Sequence, residues 1–288
     1  MSRIALIGAG RTAAHLGLAL AALGQPVQAL GARDAEKARP LAMALGLPVL
    51  SPAEAVAAAD WVFLCVRDAA IEPLCAALPW RAGQLALHCS GATELSALAA
   101  ARAAGAAVAG FHPLQLMADP LPSPEAALQA FAGIRIGIEA DAPWREALDA
   151  LAGTLSAQPL HLQAGQRARY HAAANAAASS LLAPLDLAAR QAAQALGCTP
   201  EQAWEALAPL AQGTLRAAQA RGLAGALSGP MARGDVAVLA AHLQALQGRD
   251  AELYRGLMQA LLPLAAQRLA PDALEPLIRA LDRAAGPS

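Results

Sequence analysis

Short apolar runs alternate with helical stretches through the first half of the chain. Ile4–Ile7 reads as a strand and Thr12–Leu23 as a helix. Val27–Leu30 is a second strand, followed by a helix over Ala35–Leu45, and Pro48–Leu50 is a short third strand with a helix near Pro52–Ala58. Trp61–Val66 is almost entirely apolar, the pattern of a strand covered on both sheet faces. Leu85–His88, Ala107–Phe111 and Ile134–Ile138 continue the series, and a strand near Pro159–Leu162 closes it. This alternation predicts a parallel sheet in a doubly wound α/β fold.

After Gln163 the pattern changes to alanine- and leucine-rich helical segments. Gln166–Leu196 reads as one long helix with a bend at Pro184. Thr199-Pro200-Glu201-Gln202 is a helix start, with Thr as N-cap, Pro at the first position and Gln at the capping-box position. Gly222 to Gly234 is a loop-prone break, and helices are expected over Val236–Leu246, Ala251–Leu269 and Pro271–Ala284. The domain boundary is placed near Gln163, giving an N-terminal α/β domain over 1–163 and an all-α C-terminal domain over 164–288.

Composition narrows the class. The chain has 288 residues, 57% hydrophobic and 15% charged, too apolar for disorder. A formal net charge of −1 provides no basic field for nucleic acid. Cys65, Cys75, Cys89 and Cys198 form neither a C-x-x-C pair nor a zinc pattern. Reduced, buried thiols in a cytoplasmic protein are the expectation, and no metal site. Thr12 to Ala32 lacks acidic residues, Lys and Arg, but Gly24-Gln25-Pro26 interrupts it, so a helix turning into a strand is expected rather than a membrane span.

Gly8-Ala9-Gly10-Arg11-Thr12-Ala13 follows the first strand and opens the first helix. This is the G-x-G-x-x-A turn of a dinucleotide-binding Rossmann domain. Its glycines allow a tight turn and close approach to pyrophosphate, and the helix N-terminus attracts the phosphates. An NAD site places an acid on the ribose about 20 residues further on. Here Leu30-Gly31-Ala32-Arg33 leaves that position empty, and Arg33 suits the extra phosphate of NADP. Asp34 reads as the N-cap of the next helix. Val66 and Arg67 at the end of one strand, and Ser90 and Gly91 after another, are further cofactor candidates. Ser90 has a local capping role as the alternative.

Three more segments carry a resemblance: Gly110-Phe111-His112-Pro113-Leu114-Gln115, Tyr170-His171-Ala172-Ala173-Ala174, and Ser228-Gly229-Pro230-Met231-Ala232-Arg233-Gly234-Asp235. With the glycine turn they resemble a family that pairs a Rossmann-like domain with a helical C-terminal domain of unassigned function. That architecture is similar to 6-phosphogluconate dehydrogenase, ketopantoate reductase, prephenate dehydrogenase and pyrroline-5-carboxylate reductase. The resemblance implies an NADP-linked oxidoreductase, a helical domain that shapes the substrate site, and a homodimer through it. Several relatives place a catalytic Lys, and Asn one turn later, at the start of that domain; the matching residues here are Arg167 and His171. Lys37 is the sole lysine, so no lysine acid exists there, and an arginine is a poor proton donor.

Hydride chemistry on C=O or C=N also needs a proton donor and a substrate anchor. His112, at the carboxyl end of a strand, and His171 are the donor candidates; His112 could instead orient the substrate, or simply cap a turn ahead of Pro113. Arg167, His171 and Asn175 lie one turn apart on one helix face and suggest a wet site. Arg167 or Arg233 would hold a substrate carboxylate. Tyr170 is read as packing or a helix–helix hydrogen bond, and His15, His161 and His242 as locally satisfied. The expectation is an NADPH-dependent reductase of a small keto or imino acid, ketopantoate-reductase-like among the possibilities. The rivals are a prephenate-dehydrogenase-like enzyme working in the oxidising direction and a dinucleotide sensor without turnover.

Overall fold

One sheet contains β1 (Ile4–Ile7), β2 (Val27–Gly31), β3 (Val49–Leu50), β4 (Trp61–Leu64), β5 (Leu85–His88), β6 (Ala107–Pro113), β7 (Arg135–Glu139) and β8 (Gln158–His161), in the order β3-β2-β1-β4-β5-β6-β7-β8. The computed structural model describes residues 2–282. Helices α1 (Arg11–Ala22), α2 (Ala35–Leu45), α3 (Pro52–Ala57), α4 (Asp68–Ala77), α5 (Ala99–Ala103), α6 (Pro124–Phe131) and α7 (Trp144–Thr154) connect the strands. This is the expected doubly wound arrangement with one departure. β6 and β7 pair antiparallel, with Gly110 opposite Glu139 and His112 opposite Gly137. The link between them holds only the short α6, which packs on α1, so the chain returns from the opposite edge.

Period-two alternation sorts each strand onto two faces. Ile4, Leu6, Phe63, Leu85, Leu87, Ala109 and Phe111 join one core with α1, α2, α6 and α7. Ala5, Ile7, Val62, Leu64, Ala86 and Val108 join a second core with α3, α4 and α5. His88, Gly110 and His112 continue the second face along β5 and β6.

Packing divides the chain into units Met1–Ala176 and Ala177–Ser288. The break falls after the expected boundary at Gln163, because α8 (Arg167–Ala177) sends Arg167 and Tyr170 into the N-terminal unit. The single helix expected over Gln166–Leu196 is also broken. Ala178 leaves helical geometry at φ −119°, ψ −95°, and a short 3₁₀ turn, Ser179–Leu181, precedes α9 (Leu182–Leu196). Pro184 sits in the first turn of α9, where a missing N–H costs nothing, and its ring disfavours continuing the helix upstream.

In the C-terminal unit, Gly197, in the left-handed region at φ 68°, ends α9. The expected Thr199 capping box opens α10 (Pro200–Ala226), which is interrupted at Gly222. Beyond it come α11 (Gly229–Arg233), α12 (Val236–Ala245), α13 (Gly248–Ala265) and α14 (Pro271–Asp282); Arg283 and Ala284 of the expected last helix lie outside the described residues. Met231, Leu239, Leu277 and Leu281 form this unit's core. Arg190 ties α9 to α13 with two hydrogen bonds to Asp250, at 2.7 and 3.0 Å. Among the described residues, no helix is long and apolar enough to cross a membrane.

Candidate functional site

The glycine turn faces a cavity of about 1160 Å³ at the carboxyl edge of β1, β2 and β4. Gly8, Ala9, Gly10, Arg11, Thr12, Arg33, Val66 and Arg67 line it, as do Lys37 and His112. The two glycines are required for different reasons. Gly8 has φ +110°, and a Cβ there would stand 2.6 Å from the Cys65 carbonyl oxygen, so the fold itself forbids a side chain. At Gly10 the nearest protein atom would be 4.0 Å from a Cβ. Packing does not demand that glycine, and its bareness leaves open cavity beside the backbone.

The first turn of α1 completes an anion cradle. α2, α3, α6, α10 and α12 each have a side-chain N-cap, from Asp34, Ser51, Ser123, Thr199 and Asp235. α1, like α4, α5, α7, α9, α11 and α13, has none, and its first turn contains no acid. Its free N–H groups and dipole therefore point at the cavity. Asp34 turns its carboxylate back to the Lys37 N–H at 3.1 Å, which leaves Arg33 exposed at the rim. Arg33 forms no ion pair among the described residues. Lys37, the sole lysine, also lines the cavity and is paired with Asp34 at 3.4 Å. Glycine turn, uncapped helix and basic rim together fit a dinucleotide carrying an extra phosphate.

A second cluster lies across β5, β6 and β7. Arg167 is fully buried. Its Nε donates to Glu139 at 2.5 Å and its Nη1 to the Ser90 carbonyl at 2.8 Å. The guanidinium occupies space that any side chain at Gly110 would fill, since a Cβ there would be 1.8 Å from Nη2. Arg167 is therefore not the expected substrate clamp, because Glu139 already takes its charge. Nor is the Arg167–His171–Asn175 stripe wet throughout, because it begins in the interior; His171 and Asn175 are exposed.

Tyr170, one turn on from Arg167, reaches the next row of the sheet. Its hydroxyl is hydrogen-bonded to His112 Nδ1 at 2.8 Å, and a Cβ at Gly137 would meet it at 2.7 Å. His171 stands near the same imidazole, with ring centroids 6.4 Å apart. Gly91 fits against both rings: its Cβ would lie 2.9 Å from each. The expected packing or helix–helix hydrogen bond therefore misses the actual partner of the Tyr170 hydroxyl, His112 on β6. The signals for it are the i, i+3 spacing from Arg167 and the glycines at 110 and 137 inside strands, which mark close approach.

Burial, then the charges of His171 and Arg167, push the His112 pKa down to about 4. Burial, then Arg167 and His112, push His88 down to about 3. Burial raises the Tyr170 phenol. At neutral pH both imidazoles and the phenol are uncharged. Of the two roles expected of His112, a neutral ring suits orienting a substrate better than donating a proton.

Ser90 is buried, and its Oγ accepts from the Ala92 and Thr93 N–H groups at 3.1 and 3.0 Å, a local turn role. Neither Ser90 nor Gly91 lines the cavity, whereas Cys65 and Cys89 do. Arg233 is exposed at the end of α11 in the C-terminal unit. His15, His161 and His242 are satisfied locally by the Arg11 carbonyl, Asp149 and Tyr254.

Residues 3–90 match the family model described as NADP oxidoreductase, coenzyme F420-dependent, which assigns NADP as the cofactor of this fold. Residues 134–261 match a domain of unknown function, DUF2520. A comparison with curated proteins finds no match. Among solved structures, the chain is similar to protein BF3122 of Bacteroides fragilis at 24% identity and TM-score 0.69, covering 90% of this chain and 97% of that one. Protein TM1727 of Thermotoga maritima is 22% identical, with TM-score 0.69 and coverage of 92% and 98%. A reductive aminase of Aspergillus terreus, in complex with NADPH and ethyl levulinate, is 19% identical, with TM-score 0.64 and coverage of 97% and 99%. These likenesses show the fold: a Rossmann-type unit followed by helices.

The Arg167–Glu139 pair gives a direct test of this packing. Removing one partner of a buried pair leaves an uncompensated charge and costs about 3–5 kcal/mol. Glu139→Gln should lower unfolding free energy by that amount in urea titrations at neutral pH. A loss under about 1 kcal/mol, the scale of an exposed pair, would contradict the buried geometry.

Proposed function

We propose that this chain is an NADP(H)-dependent oxidoreductase that reduces the C=O or C=N of a small keto or imino acid. The observation that carries the reading is the Tyr170–His112–His171 cluster, with His112 lining the same cavity as the glycine turn. Some of the similar solved structures are an imine reductase and reductive aminases, the latter with NADPH bound, and this supports the reaction class.

Gly8, Gly10 and the α1 N-terminus would hold the pyrophosphate, with Arg11 and Thr12 beside it. Arg33 and Lys37 would hold the 2′-phosphate, and Val66 and Arg67 would border the ribose. When bound, NADPH supplies a hydride. The chain's own residues manage the proton. Tyr170, kept protonated by burial, donates its O–H to His112 Nδ1, which leaves the imidazole hydrogen on Nε2. That N–H orients and polarises the substrate's oxygen or nitrogen without releasing its proton. His171, exposed and adjacent, delivers the proton. Arg167 holds α8 in register and touches no substrate. Arg233 remains the arginine proposed for the substrate's acid group, on the resemblance alone.

We also propose a homodimer built through the C-terminal helices. Leu210, Leu215 and Leu223 of α10 are 69%, 52% and 68% exposed, unusual apolar exposure for one helix of a monomer. Light scattering at micromolar concentration should give twice the chain mass; a monomer mass sinks this part.

Cofactor choice is tested at Arg33. Arg33→Ala should weaken NADPH by about 1.5–3 kcal/mol, the scale of a hydrogen bond to a charged group, and leave NADH nearly unchanged. Equal losses for both in titration calorimetry would remove the 2′-phosphate assignment.

The proton path is tested with a panel of 2-keto acids and cyclic imines, following NADPH oxidation. On any substrate turned over, His171→Ala should lower kcat by roughly 10²–10⁴-fold, the range for a lost general acid. Tyr170→Phe should lower it by only about tenfold, the loss of one orienting hydrogen bond. Activity should persist on acidification until His112 takes a proton near pH 4. Charging His112 competes with the Tyr170 O–H, so the loss lies on the acid side. Near-normal turnover in His171→Ala would place the donor elsewhere.

A further inference from the structure

Cys65 and Cys89 follow β4 and β5 at the carboxyl edge of the sheet. Leu64 pairs with His88 in register, and the Cys89 N–H donates to the Leu64 carbonyl at 3.4 Å. The next residue on each strand therefore stands beside its neighbour. The two sulfurs are 3.7 Å apart, and both residues line the 1160 Å³ cavity. Cys65 is 8% exposed and Cys89 is half-buried. Cys75 lies on α4, and Cys198 in the α9–α10 link of the other unit.

We propose that Cys65 and Cys89 form a dithiol site which a hydroperoxide converts to a disulfide, and that the oxidised chain binds the dinucleotide less tightly. Adjacent parallel strands set their Cα atoms within the range a disulfide spans, so closure needs only side-chain rotation and a small backbone shift. The more accessible Cys89 reacts first. Its sulfur, as thiolate, attacks a peroxide oxygen; the O–O bond breaks, Cys89 becomes a sulfenic acid, and the other oxygen leaves as water or an alcohol after taking a proton. Cys65 then attacks the Cys89 sulfur. The S–S bond forms, the S–O bond breaks, and hydroxide leaves as water with the Cys65 proton. Two thiols have lost two electrons and two protons, and the peroxide is reduced. The adjacent Cys89 sulfur and burial hold the Cys65 thiol well above its usual range, so Cys65 does not initiate, and it loses its proton only as it attacks the neighbouring sulfenic acid.

The coupling to the cofactor runs through Gly8. Disulfide formation draws the sulfurs from 3.7 Å to about 2.0 Å. The Cys65 carbonyl lies over Gly8, 2.6 Å from where a Cβ would be, and the Cys65 N–H donates to the Ile7 carbonyl at 2.9 Å. β4 lies between β1 and β5, so closure draws Cys65 away from the turn, and its hydrogen bond to Ile7 passes the shift to the residue before Gly8. By linkage, bound dinucleotide must oppose the same oxidation. The disulfide rests on the sulfur geometry alone, while the coupling rests on the proposed placement of the cofactor.

The test treats the full-length protein with hydrogen peroxide, with and without NADPH, followed by differential alkylation and peptide mass spectrometry. The expected result is a Cys65–Cys89 cross-linked peptide, with Cys75 and Cys198 still alkylated. NADPH should slow its formation, and the oxidised protein should bind NADPH about tenfold more weakly, within the usual range of coupling between sites, with recovery in dithiothreitol. Cys89→Ser should abolish both the cross-link and the peroxide sensitivity of binding. Over-oxidised Cys89 beside free Cys65, or no reaction at either, overturns the dithiol site. A disulfide with unchanged NADPH affinity overturns the coupling. A reduced chain that binds no NADPH overturns the coupling together with the cofactor reading, and the cross-linked peptide still decides the dithiol.

Discussion

A fully buried guanidinium organises the half of the sheet where the candidate chemistry lies. Arg167 is carried on α8, Glu139 on β7, the Ser90 carbonyl after β5, and the empty space for the side chain is provided by Gly110 on β6. Desolvating such a charge is expensive unless it is paired and hydrogen-bonded, so the four segments must arrive together. Once Arg167 is seated, helical geometry leaves the next turn of α8 little freedom. Tyr170 and His171, three and four residues on, project from the same face and meet His112 over Gly137 and Gly91. The candidate cluster is in this sense a consequence of one ion pair and three strand or strand-end glycines.

The other half of the sheet depends on leaving things out. No side chain covers the N-terminus of α1, and its first turn contains no acid. Gly8 is bare because the Cys65 carbonyl leaves no room, and Gly10 is bare with room to spare. The result is a set of donors with no capping side chain beside a rim containing Arg33 and Lys37, an arrangement suited to an anionic ligand. The antiparallel β6–β7 pairing brings the two halves into one unit. It sets Glu139 opposite Gly110 and Gly137 opposite His112, so the arginine anchor and the tyrosine contact occupy successive rows beside the cofactor cavity.

Legibility in the sequence declines with the range of the interaction. The strands, their face sorting and the glycine turn are encoded by period-two alternation and local turn chemistry, and they appear where the pattern puts them. The antiparallel β7 is not legible, because alternation is the same for either strand direction. The break at Ala178 is hidden because alanine-rich sequence favours helix on both sides, and Pro184 marks the exclusion only several residues later. Arg167 is misread for a more general reason. A polar stripe on an alanine-rich helix looks solvent-facing unless the partner is known, and Glu139 is 28 residues away on another strand. The histidines read as locally satisfied, His15, His161 and His242, have partners no more than 12 residues away, which is why local reasoning suffices for them.

The charge balance of the α8 cluster explains how two adjacent imidazoles can have different roles. Glu139 cancels Arg167 at short range, but the guanidinium lies close enough to His88 and His112 to disfavour a second positive charge on either. Burial acts in the same direction and is the larger cause for both. His88 is enclosed, with no well-formed hydrogen bond to either ring nitrogen among the described residues, and burial and the neighbouring charges hold it neutral. His112 has one nitrogen committed to Tyr170, and it lines the cavity without charge. Neutral imidazole is a hydrogen-bond donor or acceptor of fixed orientation, not a proton source at physiological pH. His171 is the histidine of the cluster that meets solvent. The fold thus gives two adjacent imidazoles different surroundings: the His112 ring is half-buried, tied to Tyr170 and held neutral, while the His171 ring stands exposed beside it.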